Sequence, residues 1–322
     1  MNTFRWPAIF LAATCLAASM AFAQTYPAKP VRLVVPFPAG GGTDIIAREL
    51  ANKLGASGYN FIVDNRPGSG GNLGVDAAAK AAPDGYTLVL GQTSNLSINP
   101  TLYSKLAYDP SKDLAPVSLV ASSPLVIVVS ADSPFKTLAD IVKAARDKPG
   151  SLNYASSGSG TVSHLAAESF QKTAGIKLTH IPYKGAAQGI TDVISGQVHL
   201  YVSSIPTLIG QIKNNKLRPI AVTSDIRVDD LPQVPTIAES GFKGFNAVTW
   251  FGVLGPAGLP KDMIAKLNAD IGRALKDPAL QKKLGDQGAD VLPSTPEAFA
   301  KLIQEDTVRW GRVVKESGAK VD

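Results

Sequence analysis

An apolar run, Val31-Arg32-Leu33-Val34-Val35, leads directly into Pro36-Phe37-Pro38-Ala39-Gly40-Gly41-Gly42-Thr43-Asp44 and then into a helix-like segment from Ile45 to Leu54. Few folds accept this order. A buried strand must reach the rim of a sheet, turn sharply on glycine and begin a helix there. Glycines let the backbone turn and come close to a ligand. The helix start then offers unpaired N–H groups and the positive end of the helix dipole. Such a turn binds anions. It is no dinucleotide fingerprint, because G-x-G-x-x-G is missing, and no P-loop, because no Gly-Lys-Ser/Thr follows.

The same alternation continues down the chain. Ile45, Ile46, Leu50 and Leu54 recur at helical spacing, and Phe61-Ile62-Val63 is the next strand. It ends in the glycine-rich loop Asn65–Asn72, read as a structural turn. A helix from Val75 to Ala82, the strand Tyr86–Gly91 and a polar loop Gln92-Thr93-Ser94-Asn95 complete a βαβαβ order, which implies a parallel sheet. Leu119–Val129 is long enough to leave one sheet and enter another. Thr137 is placed to cap a helix from Leu138 to Arg146. Asn153-Tyr154-Ala155, the small-residue turn Ser156–Thr161 and a helix from Val162 to Thr173 repeat the opening device. Helices are expected over Ala187–Ser195 and Ile209–Lys213, with strands over Val198–Val202 and Leu217–Thr223. Phe245–Leu254 is a second long crossing, followed by helices over Lys261–Lys276, Pro278–Gln287 and Pro296–Ser317. The expectation is an α/β chain of two lobes with a cleft between them: domain 1 from 24–124 and 248–322, and domain 2 inserted as 125–247.

Residues 1–23 read as a cleavable export signal: Arg5, an apolar core, and Ala21-Phe22-Ala23 before Gln24. The single cysteine, Cys15, falls inside it, so the mature chain has no thiol for a disulfide or a metal. The formal charge of +6 becomes +5 once Arg5 is removed. No Lys/Arg run or aromatic–basic interleaving suggests nucleic acid. His164, His180 and His199 lack the close spacing of common zinc motifs. No cofactor or metal is expected.

With these residues in view, the chain resembles the Bug family of periplasmic solute-binding proteins, receptors of tripartite tricarboxylate transporters. The resemblance is carried by Val34–Asp44, Asn65-Arg66-Pro67-Gly68, Pro83-Asp84-Gly85-Tyr86-Thr87, Asn99-Pro100, Pro182-Tyr183-Lys184-Gly185, Gly196-Gln197-Val198, Ala221-Val222-Thr223, Val234-Pro235-Thr236 and Trp250-Phe251-Gly252. It implies a type II periplasmic flytrap, periplasmic location, a small carboxylate ligand and permease subunits as partners. The chain is expected to be a monomer and not an enzyme. The resemblance places ligand contacts on Phe37, Ala39, Gly40, Gly41 and Thr43, and on Ser157, Gly158, Ser159, Gly160 and Thr161, largely through backbone amides and water.

Members often read Gly-Gln-Val-Asp and an acid-bearing strand end, where this chain has His199 and Ser203-Ser204. An acid facing the ligand suits an ammonium group and repels a second carboxylate. Ser203 therefore favours a dicarboxylate with one end per lobe. Phe37, Trp250 and Tyr201 are candidate apolar walls, which brings in aromatic dicarboxylates such as terephthalate. Asn95 is read either as a ligand or water contact or as a turn residue, and Tyr183 either as a cleft hydroxyl or as packing. The alternatives are a receptor feeding a sensor, with another organic acid or acidic amino acid as ligand, and a periplasmic hydrolase. For a hydrolase, neither Ser159 nor Ser69 sits in G-x-S-x-G.

Overall fold

The computed structural model describes residues 26–321, so the expected export signal lies outside the described residues. Strand β1 (Val31–Val35) leads through the glycine turn to α1 (Gly42–Gly55). Then come β2 (Phe61–Asn65), α2 (Asn72–Ala79) and β3 (Thr87–Gln92). The stretch expected to be a polar loop after β3 is instead a wide helical turn, Ser94–Ile98, running into α3 (Asn99–Leu102). A buried side chain explains it: Asn95 Oδ1 accepts the Gln92 amide at 3.1 Å, and the Tyr108 hydroxyl donates to the Asn95 carbonyl at 2.6 Å.

β4 (Leu114–Ser130) is the long crossing. It is followed by α4 (Leu138–Asp147), β5 (Asn153–Ser156), α5 (Val162–Ala174), β6 (Thr179–Pro182), α6 (Ala186–Ile194), β7 (Leu200–Ser204), α7 (Ile205–Lys213) and β8 (Leu217–Val222). The second crossing, β9 (Val248–Pro256), precedes α8 (Lys261–Leu275), α9 (Pro278–Gly285), the short β10 (Asp290–Val291) and α10 (Pro296–Ser317). Thr137 caps α4 as expected, in a reciprocal box with Asp140. α7 begins four residues earlier than its apolar spacing suggested, because Ser204 takes the N-cap position and Pro206 fits the first turn.

Two sheets share β4. The first runs β2-β1-β3-β9-β4, and the second β6-β5-β7-β4-β8. Each has three parallel strands in the order second-first-third, then one antiparallel strand, then a fifth. Residues 114–124 of β4 pair with β9, and residues from Leu125 onward pair with β7 and β8. Strand alternation fills both faces of each sheet. Val31, Leu33 and Val35 join the core under α1, α8 and α9, whereas Val34 faces the core with Trp250 and Phe299. Leu125, Ile127 and Val129 face α4 and α5, whereas Val126 and Val128 face α7. This period of two is why a parallel strand buried on both sides reads as continuous apolar sequence. α10 ties the units together: Phe299 and Ile303 pack on the first sheet's core, Trp310 and Val314 on the second's.

Candidate functional site

The first glycine turn, the stretch after β3 and the Ser156–Thr161 turn lie at carboxyl ends of parallel strands, where ligands bind in open α/β sheets. Between the two sheets they enclose a cavity of about 50 Å³. Its walls are Phe37, Pro38, Gly41, Gly42, Thr43, Gln92 and Ser94, with Thr249 and Phe251 from β9. Opposite stand Ser157, Thr161, Val162, Ser163, Gly185, Ala186, Ser203, Ser204 and Thr207. No lining side chain carries a charge. Four helices start at this wall: α1 after Gly41, α5 after Thr161, α6 after Gly185 and α7 after Ser204. Each N-terminus presents roughly half a positive charge, so the four together supply about two. An anion here would be held by amide dipoles rather than by an ion pair.

Two of these helices are capped from across the cleft. The Gly42 amide of α1 donates to Thr207 Oγ1 of α7 at 3.0 Å, and the Val162 amide of α5 donates to Ser94 Oγ, after β3, at 3.0 Å. The next amide in each helix, of Thr43 and of Ser163, has no backbone acceptor among the described residues. The clasp is reciprocal, each sheet's side lending one hydroxyl to the other's helix.

The first turn is braced from behind. Asp44, almost fully buried, accepts from the Gly40 amide at 2.9 Å, from Asn65 Nδ2 at 3.0 Å and from Arg48 on both oxygens at 2.9 Å. Asn65 Nδ2 also donates to the Phe37 carbonyl at 3.0 Å. Burial pushes the Asp44 carboxyl pKa up, but the hydrogen bonds from Arg48, Gly40 and Asn65 outweigh it and hold the pKa below its ordinary value. A depressed carboxylate stabilises the fold above the unfolded pKa of about 3.9, and that contribution is lost as pH falls through the lower folded value. Asp44→Ala is expected to cost about 2 kcal/mol at neutral pH, in the range for hydrogen bonds to a charged group. Denaturant titration of both proteins checks this. A gap that persisted unchanged below about pH 3 would contradict the assignment.

Of the residues expected to hold ligand, the structure brings Phe37, Gly41, Thr43, Ser157, Thr161 and Ser203 to the one cavity. Ala39 and Gly40 are exposed on the outer side of the first turn. Gly158, Ser159 and Tyr183 line a neighbouring groove beyond Phe37, Pro38 and Ser157. Tyr183 donates its hydroxyl to Asp192 at 2.6 Å. Gly160 is buried beneath the turn, and Asn95 is wholly buried in the Ser94–Ile98 turn. Trp250 is a correction: it faces the core, donates Nε1 to Asp306 at 2.5 Å and meets Phe299 edge-on. Its neighbour Phe251, on the opposite face of β9, supplies the wall. Tyr201 is fully buried, within 3.3 Å of the Ser157 hydroxyl. His199 bonds Asn153, away from the cavity. Sequence reasoning put the Gly40–Gly42 turn and the loop after β3 at this end without singling out Gly42 or Ser94, and it missed Gln92, Gly185, Ala186, Ser204, Thr207, Thr249 and Phe251. The strand-to-helix junctions at Gly185 and Ser204 were the available signal.

The description "Tripartite tricarboxylate transporter family receptor" matches residues 44–319. The chain belongs to this receptor family. Among relatives, Protein BugT of Bordetella pertussis is 38% identical over 315 residues, covering 97% of this chain and 96% of BugT. A UPF0065 protein from the tcbD-tcbE intergenic region of Pseudomonas sp. is 39% identical over 295 residues, covering 91% and 88%. Solved receptors superpose closely. An R. palustris protein solved with adipate has a TM-score of 0.89 at 34% identity, covering 92% of this chain and all of that one. MatC from Rhodopseudomonas palustris with bound malate has 0.84 at 32%, covering 90% and 100%. The periplasmic binding protein BugD has 0.86 at 35%, covering 92% and 99%. The receptor fold expected from the resemblance is therefore the fold observed. The chain is a solute-binding receptor of a periplasmic family.

Proposed function

We propose that this receptor closes on a slim aliphatic dicarboxylate and presents it to the permease subunits of a tripartite tricarboxylate transporter. The observation that carries this reading is the convergence of four helix N-termini on a cavity without charged side chains. Their summed dipole charge of about +2 balances two carboxylates without a cation. With Ser203 in place of an acid, nothing at the far wall repels the second carboxylate or rewards an ammonium group. The adipate and malate of the solved relatives belong to the same chemical class. Phe37 and Phe251 offer flat walls, and a cavity of about 50 Å³ must widen for any dicarboxylate, so the preference for an aliphatic chain rests on the adipate and malate of the relatives.

In this reading residues 24–124 with 248–322, and residues 125–247, move as the two halves. Ligand contacts fall on Phe37, Gly41, Thr43, Ser157, Thr161 and Ser203, joined by Gly185, Ala186 and Thr207. A hydrolytic role has little geometry behind it. The Ser156 hydroxyl does approach His180 Nε2 at 2.7 Å, but Ser156 is fully buried.

Titration calorimetry with malate, succinate, adipate, terephthalate and a panel of amino acids tests the proposal. One aliphatic dicarboxylate should bind tightest and stabilise the fold by about 2.7 kcal/mol at a hundredfold excess over its Kd, without being consumed. Tighter binding of an amino acid, or steady ester turnover lost in Ser159→Ala, would overturn it.

A further inference from the structure

Behind the Ser156–Thr161 turn two histidines lie face to face. His164 on α5 and His180 on β6 stack with ring centroids 4.1 Å apart and 8° between their planes. Each ring holds a different part of the turn. The Gly160 amide donates to His164 Nδ1 at 3.3 Å. His180 Nε2 hydrogen bonds Ser156 Oγ at 2.7 Å, and Ser156 Oγ accepts from the Gly158 amide at 3.2 Å.

We propose that His164 and His180 are positioning residues for this half of the carboxylate site, and that they serve only as a neutral pair: protonation of His164 unlatches the turn and weakens ligand binding. The inference rests on the reading of this turn as an anion site.

The chemistry is specific to one nitrogen. An imidazole accepts through Nδ1 only while that atom keeps its lone pair, and an imidazolium accepts nothing. Protonated His164 would leave the buried Gly160 amide without its acceptor, a full desolvation cost. Two imidazolium rings at 4.1 Å would also repel each other. The carboxylate beside the pair is that of Glu168, and it favours a charged His164. Glu168 Oε1, 4.0 Å from His164 Nε2, already accepts from the Tyr154 hydroxyl at 2.6 Å and from Gln171 at 2.9 Å. Tyr103, beside Gly160, is neutral, its pKa raised by burial. From α10, Glu316 pairs with Lys172 at 3.1 Å, two turns further along α5. Burial lowers the pKa of His164 more than Glu168 raises it; burial, and then His164, bring that of His180 down to about 3. A bound carboxylate favours a charged His164 at long range, but the lost Gly160 bond acts at contact and sets the sign.

Two measurements test this. Ring-nitrogen NMR of the unliganded protein should show His164 neutral with bare Nδ1 at about pH 6, below the ordinary histidine pKa of about 6.5; a proton on Nδ1 there would sink the proposal. Calorimetry with adipate and with malate at about pH 7.5 and pH 5.5 then compares wild type with His164→Asn. The Asn amide oxygen replaces Nδ1 as acceptor and does not titrate, while ligand ionisation affects both proteins alike. Wild type should lose about two- to threefold more affinity than the variant across that range, less than the tenfold that one histidine proton of ordinary pKa would give, because burial holds His164 below that value. Equal losses would overturn it. If His164→Asn does not fold, His180→Gln, which keeps a contact to Ser156 and removes the second ring with its repulsion and part of the burial, should shift the wild-type loss to higher pH, and an unmoved profile would count against the pair. Failure of adipate and malate to bind at pH 7.5 would count instead against the dicarboxylate reading, and the ring signals would still decide the pair.

Discussion

Gly42→Val should leave the protein folded and weaken dicarboxylate binding by about 100-fold, the upper end of what an overpacking cost of 1–3 kcal/mol gives. Gly42 is the first residue of α1, and a Cβ added there would lie 2.7 Å from Ser204 Oγ and 3.3 Å from Thr207 Oγ1. These atoms belong to the N-terminus of α7, on the opposite side of the cleft. The added side chain therefore pushes the two sides apart and breaks the Gly42–Thr207 hydrogen bond, while the core of each sheet is untouched. Gly41, the more obvious glycine in the sequence, separates closure from contact: a Cβ there meets the Pro38 carbonyl at an ordinary 3.6 Å, so Gly41→Ala should leave the two sides able to come together, and any affinity it loses reports contact with the ligand. Calorimetry with adipate and malate, beside a melting curve for each variant, checks both. Unchanged affinity in Gly42→Val would mean that closure does not bring α1 and α7 together.

Gly252→Val acts on the opposite quantity, stability. Gly252 lies on β9 opposite both Gly91 and Leu119, and the ring of Phe299 rests directly on its backbone. A Cβ would fall 2.1 Å from Cζ, 2.5 Å from Cε1 and 2.9 Å from Cε2. A ring held edge-on by Trp250 cannot yield by a small rotation. α10 must then lift from the first sheet. The expected cost is about 3 kcal/mol, a fall in Tm of roughly 6 °C for a chain of this size. Pairing the change with Phe299→Leu should recover part of the loss. A melting temperature within a degree or two of wild type would show that the ring has another place to go.

The sequence makes legible what local geometry settles. Both strand–turn–helix devices, at Phe37–Thr43 and Ser157–Thr161, are continuous in the chain, so their apolar runs and small residues announce them. The features it hides depend on residues far apart. Thr207 and Ser94 look like ordinary hydroxyls until the fold sets each against the other side's helix. His164 and His180 look scattered, because only the crossover from α5 to β6 stacks them. Trp250 and Phe251 were confused for a smaller reason. Along a strand, one step reverses the face, and apart from Thr249, on the side of Phe251, β9 is apolar on both sides and gives little sign of which way the cavity lies. The helical turn after β3 was missed because its ordering force is a buried asparagine, a residue that reads in sequence as loop.

β4 also limits how this receptor can open. One unbroken strand is hydrogen bonded to β9 up to Pro124 and to β7 and β8 from Leu125. Sliding it would break ladders on both sides at once, whereas torsion about its midpoint keeps them, with the end of α10 around Trp310 and Val314 staying on the second core. Strands are naturally twisted ribbons and take up a change of twist gradually. The joint therefore behaves as a torsion spring rather than as a loose tether. On that account an opened form should keep the amides of β4 protected from solvent exchange, while the turns some distance from the axis swing through the widest arc.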